Sequence, residues 1–438
     1  MAKISATLKY LNGLDPGQDN DLVIMIDAYD IWFQLPKSVL MERYHTINEQ
    51  ANKRIIKQIG RDATQRENVT QSIIFGSGKR CAPNQLHTIA CYPIPASPLP
   101  DDLYYGNTDT DIGPNEFASR RQRWLNSGVI VGPVAKLREL FAYAEEIAKS
   151  HPINDPEDNG SHGSDNMYHG SDQSIFATIR GQQEYQREVL HRRYNPHFTS
   201  GDRSSEDPDN APATSSSDKA APQRLSRRGG GNIDVLHYDR LNPPFTHEEW
   251  EAREGHSYEY GIGVDHFSDL THETINSETD GRWLLHNQSL PEQITDRTRF
   301  DCKWRLPDRL PNDILSEAST EVMRKVARKM ASWEDQTLYT HLCTGTVPVI
   351  VHHNGDKDAR TKMWHLPWWK SYVKDMMEAE FEKTNGSKEF DWGKHRKAPA
   401  TGEGANWGGA WDDKGEFLRF EELCPAADQE ELFRMTPL

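Results

Sequence analysis

Two aspartates near the start of the chain have the chemistry of a metal and phosphate site. Asp27 directly follows the apolar segment 22–26, and Asp30 comes one turn later. In open α/β sheets, ligands gather at the carboxyl ends of strands, because loops converge there. A pair of carboxylates can share Mg²⁺ or Mn²⁺ and leave coordination positions for phosphate oxygens. The metal would offset charge on a diphosphate leaving group, so the pair predicts chemistry on a phosphorylated substrate.

Two other interpretations of these aspartates stay open. Acidic residues commonly end strands as solvated turn residues or helix caps. A phosphohydrolase of the aspartyl-nucleophile type also places an aspartate after a buried strand, and Asp27 would be that nucleophile. Such enzymes normally separate their two carboxylates by one residue, whereas two residues lie between Asp27 and Asp30. The spacing therefore favours a metal clamp.

A late segment adds imidazole to the set. The apolar run 347–351 ends in His352 and His353, and one of these histidines would complete an Asp/Asp/His set suited to Mn²⁺. Gly355 would let the backbone approach a phosphate closely, and Lys357 could neutralise its charge. The alternative is a pair of surface histidines at a strand end, which this segment alone does not exclude.

Considered together, six segments resemble the glycosyltransferase domain of the procollagen lysyl hydroxylases and their relatives. The resemblance covers about residues 3–360. The matching segments run in the family's order: Val23–Asp30, Ile74–Pro83, Arg123–Gly128, Ser171–Gln173, Val264–His266 and Val351–Gly355. It implies a GT-A-like nucleotide-diphospho-sugar transferase fold with a mixed central sheet.

By this resemblance, Asp27 and Asp30 are ligands of the metal and the diphosphate. His352 is the metal histidine, with His353 as the alternative. The implied cofactor is Mn²⁺ or Mg²⁺, and the implied donor substrate is a UDP-sugar.

The same resemblance assigns residues around the donor sugar. Asn126, Ser127 and Gly128 would lie beneath the hexose, where a Ser-Gly step permits close approach and the asparagine can bond to hydroxyls. Asp172 and Gln173 would be polar residues on the acceptor and sugar sides. Asp172 is the candidate general base or oxocarbenium stabiliser, and it also fits a helix cap.

Secondary-structure elements that must position these residues follow from the apolar pattern. Apolar residues recur at helical spacing in four segments: about 3–14, from about 38 to 55, 137–147 and 322–333. Continuous apolar runs predict buried strands in four others: 22–26, 73–75, 129–131 and 347–351. Strands that alternate with helices indicate an α/β layered domain.

Composition divides the chain into four parts. A segment rich in Ser, Asp, Pro, Ala and Gly interrupts the catalytic core and is predicted as a disordered insertion, because it has too little apolar surface to offset its ordering entropy. The parts are residues 1–196 (first part of the core), 197–232 (insertion), 233–382 (second part of the core) and 383–438 (a Gly- and Trp-rich extension).

The front of the core departs from the resemblance. A GT-A fold normally begins with a strand–helix–strand unit that builds the nucleoside pocket, and only 26 residues precede Asp27. We therefore expect either a core that is truncated at its N-terminus or a core that does not bind a nucleotide in the usual way. This departure motivates an alternative function, a catalytically impaired glycosyltransferase-like binding protein that lacks the nucleoside pocket.

Charge and targeting signals limit the partners. A formal net charge of −16 argues against nucleic-acid binding, which needs a basic face. No apolar run approaches the roughly 20 residues that span a bilayer, and the start lacks signal-peptide regions, so the chain alone would be assigned to the cytoplasm. The resemblance implies the Golgi or endoplasmic reticulum lumen instead. There, Cys81 and Cys91 could form a small disulfide loop, although buried reduced thiols fit equally well.

The leading hypothesis is therefore an enzyme. It would transfer a hexose from a UDP-sugar to a hydroxyl group of a glycan or glycoprotein acceptor, with a divalent metal stabilising the departing UDP.

Overall fold

A computed structural model of the chain describes these residues: 2–27, 29–111, 113–150, 171–194, 252–295, 302–326, 332–356, 358, 362–373, 409–411 and 417–419. Within them the protein is mixed α/β, which confirms the predicted class. The helices are α1 (Ala2–Asn12), α2 (Lys37–Ile59), α3 (Arg61–Arg66), α4 (Val134–Ser150), α5 (Asp172–Tyr194), α6 (Leu290–Gln293) and α7 (Glu317–Val326). The strands are β1 (Leu22–Ile26), β2 (Ile31–Phe33), β3 (Ile73–Gly78), β4 (Trp124–Pro133), β5 (Ile262–Val264), β6 (Thr271–Glu273), β7 (Gly281–Leu285), β8 (Thr337–His341), β9 (Ile350–His352), β10 (Gly409–Trp411) and β11 (Phe417–Arg419).

Four strands form the main sheet, in the order β1-β4-β3-β5. Both β1 and β3 are antiparallel to β4, and β5 is parallel to β3. Consequently β1, β3 and β5 run in one direction, and their carboxyl ends lie at the same edge of the sheet. Asp27, which follows β1, lies at this edge, as the sequence predicts.

Apolar side chains cover both faces of this sheet, because successive strand residues point to opposite sides. On one face, Phe75 and Ile130 pack against α1, α4 and α5. On the other face, Ile74 and Val129 pack against α2 and β9. The predicted helical stripes of α1, α2 and α4 are the faces that are buried in these two clusters.

Strand β1 differs from its prediction as a buried strand. It pairs only with β4, and no other described strand adjoins its second edge. All five of its residues are partly exposed, and Ile24, at 36%, is the most exposed of them. A continuous apolar run is compatible with a central strand or an edge strand, so the run predicts the strand and not its neighbours.

A three-stranded second sheet brings distant segments together. Its order is β2-β9-β6, with β9 antiparallel to β2 and parallel to β6. In this register His352 lies between Ile31 and Glu273. Side chains opposite each other on neighbouring strands point to the same face, so the residue after Asp30 and the late histidine are placed side by side.

Three boundaries differ from the sequence prediction. The predicted strand 129–131 is part of the longer β4, whereas only the end of 347–351 is strand, in β9. Trp333 lies in a short helical turn, Trp333–Asp335, and does not extend the preceding helix α7. The predicted insertion, 197–232, lies outside the described residues. Of the predicted extension, 383–438, only the antiparallel strand pair β10 and β11 is described.

Two disulfides lie in the described part of the chain. Cys81 is bonded to Cys91, which settles the open choice for that pair, and Cys302 is bonded to Cys343, which the sequence did not predict. All four cysteines are buried. None of the described helices is both long and apolar enough to cross a membrane.

Candidate active site

The candidate site is built around Asp30 and His352. Asp30 lies in the turn before β2 and is buried, and its Oδ1 is 3.4 Å from Nε2 of His352. The turn is fixed by the backbone, because the N–H of His353 donates to the carbonyl of Asp30 at 2.7 Å. A carboxylate and an imidazole from distant parts of the chain thus meet at one point.

The two neighbouring histidines have different surroundings. Because strand side chains alternate, His353 points away from the pair and packs on Trp32, with ring centroids 4.2 Å apart. The structure therefore places His352, and not His353, beside Asp30.

Glu273 is a member of the site that sequence reasoning missed. Its Oε2 is 2.8 Å from Nδ1 of His352, a close contact that falls outside hydrogen-bond geometry. The same oxygen accepts a hydrogen bond from Nδ2 of Asn354. No sequence pattern marks Glu273, because its position depends on the pairing of β6 with β9.

His352 is held between carboxylates, and this sets its charge. Burial favours the neutral ring and lowers the pKa. The neighbouring carboxylates of Glu273, Asp30 and Asp27 outweigh burial, so the pKa of His352 is raised above its ordinary value. The site is therefore electrostatically suited to a cation.

Two glycines make room for the side chains of His352 and Glu273. A methyl group at Gly128 would overlap the imidazole of His352, and one at Gly76 would overlap Oε1 of Glu273. The close approach of a hexose to Gly128 stays a prediction, and the structure gives the glycine a second reason. The space above Gly128 belongs to the histidine ring.

Lys3 joins the two remaining acidic residues. Its Nζ is 2.7 Å from Asp27 and 2.9 Å from Asp172, and it donates to the carbonyl of Ser127 at 3.1 Å. Burial lowers the pKa of Lys3, but the bonds to the two carboxylates outweigh burial and raise it. The helical spacing of α1 predicts its buried stripe, but nothing in the sequence predicts that Lys3 reaches across the sheet end.

Other predicted residues have local partners. Asn126 is half-buried, and its Oδ1 accepts from the N–H of Gly128 at 2.8 Å, which leaves its Nδ2 without a partner among the described residues. Gln173 donates from Nε2 to the carbonyl of Ala82 at 2.5 Å, so this amide holds the loop that contains the Cys81–Cys91 bond. Asp172 is the first residue of α5, where its carboxylate interacts favourably with the positive N-terminal end of the helix dipole.

The last two predicted residues follow β9. Gly355 is docked on Thr274, whose Oγ1 accepts from its N–H at 3.1 Å. Lys357 lies outside the described residues. The segment after the histidines is therefore fixed against the end of β6.

The predicted metal set is only partly assembled. Asp30 and His352 meet, whereas Asp27 is paired with Lys3. Among the described residues, no group of three acidic, histidine or cysteine side chains is arranged to hold a metal ion. Two ligands of one hard cation, each at about 2.1 Å and about 90° apart, are separated by roughly 3 Å. The Asp30–His352 distance is close to this value, and the Asp27 side chain is 44% exposed and, among the described residues, is bonded to Lys3.

In comparisons with known proteins, the chain matches none of the family models and none of the curated sequences.

Proposed function

We propose that the chain is a metal-dependent glycosyltransferase with a GT-A-like fold, which transfers a hexose from a UDP-sugar to a hydroxyl acceptor. The observation that carries the proposal is the meeting of Asp30 and His352 at the carboxyl end of the main sheet. A carboxylate oxygen and an imidazole nitrogen are a ligand pair suited to Mn²⁺, with Mg²⁺ as the alternative. Asp27 would be the third ligand after release from Lys3.

The residues around this pair have matching roles. A bound divalent ion would offset the charge that develops on the departing UDP. Nδ2 of Asn126 would donate to a sugar hydroxyl, and Asp172 would act as general base or stabilise an oxocarbenium-like transition state. Acceptors would be hydroxyl groups of a glycan or glycoprotein. The buried disulfides support an oxidising compartment, and so a Golgi or endoplasmic reticulum lumen.

Binding of UDP with Mn²⁺ tests the proposal. At a concentration 100-fold above its dissociation constant, the UDP–Mn²⁺ complex, counted as one ligand, should stabilise the fold by about 2.7 kcal/mol, measured as an increase in the melting temperature. Hydrolysis of a UDP-hexose should require Mn²⁺ and stop on addition of a chelator. A protein that melts cooperatively without either response would contradict the proposal.

One observation favours a second function. Since β1 is an edge strand, no described strand occupies the side of β1 where a GT-A fold places its nucleoside-binding unit. A glycosyltransferase-like binding protein that lacks the nucleoside pocket would keep the Asp30–His352 pair. Such a protein would bind Mn²⁺ without any further shift from UDP, so the same melting experiment separates the two functions.

The lysine at the site leads to a further prediction. Two unit charges 4 Å apart interact by about 4 kcal/mol at an effective dielectric constant of 20. The Lys3 and Asp27 side chains are 28% and 44% exposed, so solvent screens much of this energy. Removing the competing ammonium in Lys3→Met should therefore strengthen Mn²⁺ binding roughly tenfold, measured by titration calorimetry without nucleotide.

Lys9→Met is the matched control, because Lys9 lies exposed on the same helix. It should bind Mn²⁺ as the unaltered protein does. Equal or weaker binding by Lys3→Met would mean that Asp27 is not part of the cation site.

A further inference from the structure

We propose that Glu273 is the positioning residue of His352: it holds the proton of the imidazole on Nδ1, so that Nε2 faces Asp30 and is available to the divalent cation. The inference deepens the proposed function and rests on it, since it concerns the same cation site. Its support is the contacts, burial and register of Glu273.

Register places Glu273 where this role requires it. Glu273 and His352 are opposite residues of the parallel pair β6 and β9, so their side chains share a face. Oε2 of Glu273 lies 2.8 Å from Nδ1, and Oδ1 of Asp30 lies 3.4 Å from Nε2 on the far side of the ring. The ring thus has one carboxylate for each nitrogen. A metal-binding histidine typically donates its other N–H to a carboxylate, which fixes its tautomer and orientation, and Oε2 of Glu273 is the carboxylate oxygen that lies beside Nδ1.

Burying the carboxylate of Glu273 costs free energy, and a contact with the imidazole of His352 offsets part of this cost. Its side chain is 2% exposed, and a buried carboxylate needs partners to offset its lost hydration. Both partners of Glu273 lie at one oxygen: Oε2 accepts a hydrogen bond from Nδ2 of Asn354 and faces His352. The other oxygen, Oε1, is buried and has no hydrogen bond. A purely structural carboxylate would be expected to use both oxygens.

Surrounding residues keep Glu273 in this orientation. Oε1 occupies the space above Gly76, which no side chain could share. Asn354 is itself fixed, because its Oδ1 accepts from the N–H of Ile275 at 3.0 Å. The carboxylate of Glu273 therefore lies between the backbone of β3 at Gly76 and the anchored amide of Asn354. These two neighbours restrict its side-chain orientation to one in which Oε2 faces His352.

Mn²⁺ titration of the full chain, followed by calorimetry, tests the inference. Loss of a partner behind a metal ligand typically costs 10- to 100-fold in metal affinity, and we expect this loss in Glu273→Ala. Glu273→Gln should recover affinity to within tenfold of the unaltered protein. Its amide oxygen can replace Oε2, and its NH₂ group takes the side where Oε1 has no partner.

Two further variants separate positioning from folding. Gly76→Ala leaves the charge of Glu273 unchanged but pushes its carboxylate out of place, so it should weaken Mn²⁺ binding as Glu273→Ala does. Glu278→Ala removes an exposed carboxylate five residues away and should leave Mn²⁺ binding unchanged. Melting temperatures of all variants report on the fold.

The outcomes are distinct. If the unaltered protein binds Mn²⁺ and Glu273→Ala or Gly76→Ala binds it equally well, the positioning role is overturned while the proposed function stands. If Glu273→Gln loses as much affinity as Glu273→Ala, charge and not orientation is what Glu273 supplies, and the inference is again overturned. If the unaltered protein does not bind Mn²⁺ with or without UDP, both the inference and the metal-dependent function are overturned.

Discussion

Asp30→Ala is expected to lower the Mn²⁺-dependent turnover of a UDP-hexose by about 10³-fold, which corresponds to about 4 kcal/mol of transition-state stabilisation. Asp30 is buried, and its Oδ1 faces Nε2 of His352 at 3.4 Å. No other described acidic side chain contacts that nitrogen, so alanine leaves His352 without its partner ligand. The measurement is the rate of UDP release at saturating Mn²⁺.

A matched control directly precedes strand β1. Asp21 lies exposed at the opposite end of β1, and its side chain has no partner among the described residues. Asp21→Ala should therefore retain full turnover. If Asp30→Ala keeps more than a tenth of the activity, the pair with His352 is not the metal site, and the proposal fails.

A trapped covalent intermediate would favour the phosphohydrolase alternative. In a phosphohydrolase, Asp27 and not Asp30 would attack the substrate. Detection of a phosphoaspartate at Asp27 would replace the glycosyltransferase proposal with that chemistry. The ion pair of Asp27 with Lys3 is compatible with either role, so the Asp30 experiment carries more information.

Local elements of this fold were predictable from the sequence because they depend on local pattern. The stripe Ile4, Leu8 and Leu11 predicts which face of α1 is buried, and the structure confirms it. The stripe of α2 is likewise confirmed by burial of Leu40 and Ile47. A helix with one apolar face has few ways to cover it, so spacing alone suffices.

Long-range register was not predictable, and it decides the site. Glu273 reaches His352 only because β6 pairs with β9, and Lys3 reaches Asp172 only because α1 and α5 belong to the same hydrophobic cluster beside the main sheet. A carboxylate or an ammonium carries no signal of its distant partner in the sequence around it. The edge position of β1 escaped prediction for the same reason, since neighbours of a strand are chosen by the whole sheet.

A second large effect is expected at a buried ion pair between the residue after β3 and the residue before β7. Lys79 and Asp280 are joined at 2.6 Å, and their side chains are 1% and 4% exposed. Tyr104 donates to Asp280 at 2.8 Å, and the ammonium also donates to the carbonyl of Ala118 at 2.6 Å. The pair is thus enclosed and hydrogen-bonded on both sides.

Asp280→Ala should lower the free energy of unfolding by about 3–5 kcal/mol, because it leaves a buried ammonium without its counter-charge. Burial lowers the pKa of Lys79, and Asp280 is the main group that opposes this shift. The hydroxyl of Tyr104 loses its acceptor in the same variant, which adds to the cost. Urea unfolding gives the difference directly.

The double variant Lys79→Met/Asp280→Ala shows whether charge is the cause. Removing both charges abolishes the uncompensated ammonium, so the loss should be smaller than in Asp280→Ala alone. The exposed pair of Lys136 and Glu139 is the matched control, with side chains 36% and 55% exposed. Its removal should cost less than about 1 kcal/mol. Equal losses in the single and double variants would mean that the cavity, and not the charge, destabilises the fold, because the methionine would then have restored nothing.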